Sequence, residues 1–288
     1  MNLHGCLTAL VTPFKDGKVD EAALRRLVDK QIEAGIDGLV PVGTTGESPT
    51  LDFDEHDHVI ETVIDAAAGR CLVVAGTGGN STAEAVRLTQ HAKAAGADAS
   101  LQVCPYYNKP TQEGLYRHYE TVADEGGLPI VLYNVPGRSG VEIAVSTIAR
   151  LSAHPNVIAV KEAGGSVDRV SAILNECDIT VVSGDDSLTL PMMAVGGKGV
   201  ISVISNLMPA EMTRLVHAAL AGDWPAAQAL HARMYPLFKD LFIETNPVPI
   251  KAAMAMSGLI EEEYRLPMCP MSDAHRAILK ASMAKVLE

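Results

Sequence analysis

Lys161 ends the apolar run of VIAVKEAGG (157–165), and two glycines follow it. A short apolar run bounded by glycine reads as a buried strand, so the chain sets an ammonium group at a strand end. Such a lysine either snorkels to water or pairs with an acid such as Glu162. Alternatively, burial disfavours the charge and leaves an amine that attacks a carbonyl to form a Schiff base. Other groups fitting the second fate stand after other apolar runs. Thr44 and Thr45 lie between glycines in GTTGES (43–48). That turn lacks the Gly-Lys-Ser/Thr ending of a phosphate loop, but its hydroxyls and backbone N–H groups suit a small carboxylate. In YNVPGR (133–138), Tyr133 alternates with Val131, and a Pro-Gly turn leads to Arg138. Arginine grips a carboxylate in two places. A Schiff-base enzyme for a keto acid needs an amine, a proton shuttle and carboxylate grips. The plain alternatives are an ordinary strand-to-helix turn, an amphipathic core tyrosine and a solvated arginine.

The elements that position these residues recur regularly. Strand-like runs occupy 6–11, 38–43, 71–76, 99–104, 129–135, 157–163, 179–184 and 199–205. In the first interval Leu24, Leu27, Val28 and Ile32 form one helical stripe, with Asp20 as N-cap and Gly35 as stop. Similar helical patterns cover 54–68, 81–95, 112–125, 145–152, 166–176, 187–195 and 208–221. Eight strand–helix units without a composition break predict a (β/α)₈ TIM barrel over 1–223, rather than a doubly wound sheet. From 224 to 288 the pattern is helical, a C-terminal extension of about three helices. Barrel active sites lie at the C-terminal strand ends. There Lys161 shares a face with Val157 and Ala159, while Glu162 points away.

The 288 residues are 48% hydrophobic and 20% charged, enough for a sizeable core. A formal charge of −12 argues against non-specific binding to nucleic acid or anionic membranes. Five scattered cysteines without a C-x-x-C pair predict neither a disulfide framework nor a zinc site, and fit a reducing cytoplasm. MNLHGCLTALVTPF lacks the features of a signal peptide. No run approaches the roughly 18 apolar residues of a membrane helix. Two loops point elsewhere. PYYNKPTQEG (105–114) suggests an interface or lid, and GGKGVIS (196–202) resembles the phosphate turns of other barrels, which keeps a phosphate-ligand barrel open.

GLVPVGTTGE, PYYNKPTQEGLY, YNVPGR, VIAVKEAGG, SGDD, GGKGVISV, ETNPVPIK and RLPM together resemble the dihydrodipicolinate synthase family, from about residue 3 to near the C-terminus. This family belongs to the pyruvate-dependent class I aldolase superfamily that also holds N-acetylneuraminate lyase. The resemblance implies that Lys161 forms an imine with pyruvate. Its enamine attacks L-aspartate 4-semialdehyde, and cyclisation releases 4-hydroxy-tetrahydrodipicolinate, the first committed step towards diaminopimelate and lysine. Tyr133, Thr44 and Tyr107 match the proton relay, Tyr107 reaching in from a neighbouring subunit. A relay makes sense because a lone tyrosine holds its proton up to about pH 10. Thr45, Gly184 and the backbone at Ile201 match pyruvate contacts, and Arg138 the grip on the semialdehyde carboxylate. No metal or organic cofactor is implied, and a homotetramer is.

Some members are inhibited by L-lysine at a dimer interface, and Ser48, His56, Asn80, Glu84 and Tyr106 match that site. Phe53 stands where sensitive bacterial enzymes often carry histidine, and Pro49 where they often carry alanine, so weak or moderate inhibition is expected. Gly164 replaces a usual threonine, and ISN (204–206) differs from the common TAN. The competing readings are a sister aldolase for a sugar acid (N-acetylneuraminate or 2-keto-3-deoxygluconate) and a non-catalytic amino-acid-binding barrel.

Overall fold

A computed structural model of the chain describes residues 3–287. Met1, Asn2 and Glu288, the outer bounds of the two ranges drawn from the sequence, lie outside the described residues. Eight parallel strands close into a barrel in sequence order: β1 (Gly5–Ala9), β2 (Gly38–Val40), β3 (Leu72–Gly76), β4 (Ala99–Val103), β5 (Ile130–Asn134), β6 (Val157–Glu162), β7 (Thr180–Ser183) and β8 (Gly199–Ser202). β8 returns to pair with β1, from Gly5 opposite Gly199 to Thr8 opposite Ser202, so the barrel itself has no open strand edge. The intervening helices are α1 (Glu21–Glu33), α2 (Phe53–Ala67), α3 (Thr82–Ala95), α4 (Gln112–Glu125), α5 (Val145–Ser152), α6 (Val167–Glu176), α7 (Thr189–Ala194) and α8 (Pro209–Leu220). The expected (β/α)₈ barrel is therefore present. Asp20 caps α1 by accepting from the Ala23 N–H at 2.9 Å, and Leu24, Leu27 and Val28 are buried beneath it.

Leu7, Val40, Val74, Leu101, Val131, Ala159, Val182 and Ile201 fill the barrel interior with Tyr133, making a packed core rather than a pore. The C-terminal helices α9 (Trp224–Asp240), α10 (Val248–Met256) and α11 (Asp273–Leu287) are part of the outer core. Leu237, Phe238, Ile250, Met254 and Leu279 pack in one cluster with Leu10, Val11 and Leu24 of the barrel. Each fully buried Leu, Ile or Phe contributes roughly 1.5–3 kcal/mol through removal from water, so these helices are welded to the barrel.

The structure departs from the sequence reading in local ways. β2 stops at Val40, because Pro41 has no N–H to donate and Val42 adopts φ +49°. β8 stops at Ser202, because the N–H groups of Val203 and Ile204 are taken by Asp186 Oδ2 at 3.0 and 2.9 Å. A two-residue hairpin, Phe14–Lys15 with Lys18–Val19, stands before α1. Its Asp16-Gly17 turn, with φ +52° and +78°, is a known hairpin signal that the helical pattern overshadowed.

Candidate active site

Lys161 lies at the C-terminal end of β6 and is 5% exposed. Tyr133 is its register partner on β5, and the ammonium sits 4.1 Å from the centroid of the tyrosine ring. Glu162, beside it in sequence, points to the other face. There its carboxylate accepts from Asn134 Nδ2 at 2.9 Å, from the Gly164 N–H at 2.7 Å and from Arg169 Nε at 3.0 Å. Among the described residues no carboxylate lies in ion-pair contact with Lys161. The face it occupies differs in one member from the alternation expected. The β5–β6 register shifts between Ile130 and Val131, so Val157 packs on the outer side while Ala159 faces inward. A bulge inserts one residue and flips everything before it.

The Thr44–Thr45 segment is held by unusual backbone on both sides, with φ +49° at Val42 and +54° at Glu47. A β-branched residue in the left-handed region is strained, and such strain persists only where its surroundings enforce it. Gly76 on β3 allows the turn to seat, since a Cβ there would fall 2.6 Å from the Val42 carbonyl oxygen. Thr45 is buried, and its Oγ1 accepts from Asn246 Nδ2 at 3.0 Å. Arg138 follows β5 on a helical turn over Pro136–Ser139, is exposed, and donates from Nη2 to the Asn246 carbonyl at 3.1 Å. Asn246 thus joins Thr45 to Arg138. The ETNPVPIK motif contained it, but no periodicity or chemistry in that stretch marked it as a connector.

Gly184, just after β7, faces Lys161. A Cβ there would lie 2.9 Å from Lys161 Cε and 2.7 Å from Ala163 Cβ. Its place is set by this close approach. If Lys161 is the nucleophile that the resemblance implies, Gly184→Ala displaces its stem and lowers kcat/KM about tenfold to a hundredfold, because small misplacements of a reacting group are that costly. Steady-state kinetics with unfolding curves would test this, and unchanged kinetics in a folded variant would refute it. Ile201 lies in β8 at 1% exposure, within the interior cluster that holds Tyr133. Asp186, beyond Gly184, is buried; burial pushes its carboxyl up to about 6 despite the two N–H groups it accepts.

A cavity of about 580 Å³ opens at this rim, with Thr44, Tyr133 and Arg138 in its wall. Lys161 is outside the wall, under the Tyr133 ring. Ser48, His56, Glu84 and Tyr106 line the same cavity, as do Phe53 and Pro49. Asn80 supports it, donating to the Tyr106 carbonyl at 3.2 Å. Burial, then Glu84, raises the Tyr106 phenol, and burial lowers His56. The Arg87 guanidinium stacks 4.3 Å from the Phe53 ring centroid. Tyr107 is not brought in: with φ +71° it is 90% exposed on the loop after β4. Gly164, one of the departures, lies on the Glu162 side, where a Cβ would meet Glu162 Oε1 at 2.6 Å. No group of three or more potential metal ligands gathers among the described residues, and no helix of theirs is long and apolar enough to cross a membrane.

Comparison with known proteins places the sequence and fold among relatives. Residues 2–286 match a family model described as the dihydrodipicolinate synthetase family. The 4-hydroxy-tetrahydrodipicolinate synthase of Pelobacter propionicus is 55% identical over 281 residues, 97% of each chain. The solved 4-hydroxy-tetrahydrodipicolinate synthase of Methylacidiphilum fumariolicum superposes with TM-score 0.98 at 48% identity, covering 99% of this chain and 96% of the other. The dihydrodipicolinate synthase of Aquifex aeolicus superposes with TM-score 0.97 at 51% identity, covering 98% of both.

Proposed function

The chain belongs to the dihydrodipicolinate synthetase family, and on that footing we propose that it condenses pyruvate with L-aspartate 4-semialdehyde to 4-hydroxy-tetrahydrodipicolinate. The observation carrying the reading is a buried lysine at a barrel-strand end, without an acid partner among the described residues and set against a tyrosine ring. The Lys161 amine attacks the pyruvate keto carbon, and loss of water gives the imine. Removal of a methyl proton yields an enamine whose carbon bonds to the semialdehyde carbon. The semialdehyde's own amine then displaces Lys161 as the ring closes, so one water leaves in total. The protonated imine is the electron sink, and the cycle needs no external cofactor.

In this reading Tyr133, Thr44 and Tyr107 move protons, Tyr107 into a neighbouring subunit's site. Its exposure and absence from its own subunit's cavity support that role, and a dimer of dimers would supply the neighbour. Thr45, Gly184 and the backbone at Ile201 surround pyruvate, and Arg138 holds the semialdehyde carboxylate. Residues 1–223 form the catalytic barrel and 224–288 its extension, in a cytoplasmic enzyme serving diaminopimelate and lysine formation. The sugar-acid alternative would require a longer polyol-binding rim than Arg138 and the tyrosine pair offer.

The deciding experiment is NADPH oxidation coupled to excess dihydrodipicolinate reductase. Signal requiring both substrates supports the reading. Its absence from folded protein would redirect the search to borohydride trapping with pyruvate and to sugar-acid substrates. L-Lysine inhibits weakly or moderately, with Glu84 for its ammonium and Asn80 or Tyr106 for its carboxylate, while Ser48 and His56 complete the pocket. Phe53, stacked under Arg87, and Pro49 weaken the fit. A flat activity titration with millimolar L-lysine would dispose of that expectation.

A further inference from the structure

Glu47 and Lys251 form a buried ion pair outside the reacting groups, with Nζ 2.5 Å from Oε1. Lys251, on α10, has no exposure at all, and Glu47, in the turn after Thr44–Thr45, is 3% exposed. Burial lowers the Lys251 amine and Glu47 opposes that shift. The pair is enclosed: the ammonium lies 4.2 Å from the Phe14 ring centroid and 5.4 Å from that of Tyr264. The Arg265 N–H approaches Glu47 Oε2 at 3.4 Å, while its guanidinium donates to the Thr50 carbonyl at 2.9 Å and grips Glu55 on α2.

A pair of this kind is a poor stabiliser, because loss of hydration offsets the attraction and apolar residues of similar volume often serve as well. What it supplies is geometry, since any other seating leaves two uncompensated charges in the interior. The backbone it seats is the strained one. Glu47 adopts φ +54°, its N–H donates to the Thr44 carbonyl at 3.2 Å, and the Gly46 carbonyl accepts from Thr12 Oγ1 at 2.7 Å. Four residues before Glu47 in the same turn are Gly43, Thr44, Thr45 and Gly46. From the same C-terminal segment that bears Lys251, Asn246 bonds the Thr45 hydroxyl.

We propose that the Glu47–Lys251 pair is a positioning device that holds Thr44 and Thr45 at the barrel mouth, so that α10 serves the reaction as well as the core. This rests on the condensation reading above, in which Thr45 meets pyruvate and Thr44 passes protons. Disturbing the pair therefore acts first on pyruvate, and reaches Arg138, the semialdehyde grip, only through Asn246.

The test compares the full-length wild type with Lys251→Met and with the double variant Glu47→Gln/Lys251→Met. Active sites are counted by mass after borohydride trapping of the pyruvate imine, and kinetics are expressed per trapped site. In both variants kcat/KM for pyruvate falls about tenfold to a hundredfold, the range typical of a misplaced catalytic group. KM for the semialdehyde stays within about twofold, since Arg138 and the Asn246 carbonyl that orients it are both unchanged. The single variant melts lower, because Glu47 is left charged and unpaired; the double variant recovers most of that loss but keeps the kinetic defect. If Lys251→Met does not fold, the double variant decides alone. A double variant with wild-type kinetics per site would overturn the proposal, leaving the pair a structural element only. A wild type that traps no pyruvate would overturn the condensation reading, and the positioning role with it.

Discussion

Lys161→Ala is expected to lower turnover by about a thousandfold or more, since in the proposed Schiff-base route it removes the covalent nucleophile and leaves only what binding and preorganisation supply. The fold should survive. Among the described residues Lys161 has no acid partner to strand, so truncation leaves none of their buried charges unpaired and creates a void under the Tyr133 ring. Removing buried methylenes in such a place costs about 2–5 kcal/mol at most. Lys161→Arg should be equally inactive, because a guanidinium stays protonated and cannot attack a carbonyl. Borohydride with pyruvate should add mass to the wild type and to neither variant. Turnover within tenfold of wild type in a folded Lys161→Ala protein would end the Schiff-base reading. Retained small-molecule binding without any wild-type turnover would favour the amino-acid-binding barrel instead.

What the sequence disclosed, and what it hid, follows from range. Barrel strands are buried on both sides, so each appears as an apolar run, and strand–helix alternation implies closure. Lys161, Tyr133 and Arg138 were legible because each is chemically out of place at the end of such a run. The bulge that turns Val157 outward was not, since periodicity carries no mark of an inserted residue. Gly184 was legible only through its motif: its neighbour is Lys161, 23 positions away, and close approach across a barrel is invisible to local pattern. Glu47 and Lys251 lie 204 residues apart and each looks like an ordinary charge on a turn or helix. Their burial and pairing exist only in three dimensions. Asn246, 201 residues from Thr45, is hidden for the same reason.

Tyr133→Phe separates the packing of this tyrosine's ring from the proton transfer proposed for its hydroxyl. Its ring belongs to the barrel interior with Val131 and Ile201 and lies over the Lys161 ammonium at 4.1 Å; phenylalanine keeps both roles. Only the hydroxyl is lost. Tyr133 is 6% exposed, so water replaces that hydroxyl poorly. Dehydration of the carbinolamine needs a proton delivered to its departing oxygen, and enamine formation needs one taken from carbon. Both steps should therefore slow together. The expected fall in kcat is about a hundredfold to a thousandfold, within the usual share of a positioned acid–base group. Pyruvate KM should move little, because the carboxylate grips are untouched, and borohydride should still trap the imine, at a lower rate. A large rise in pyruvate KM with kcat intact would instead make the hydroxyl a binding contact. Unchanged kinetics would mean that the proton reaches the substrate without Tyr133, leaving the ring over Lys161 as its whole contribution.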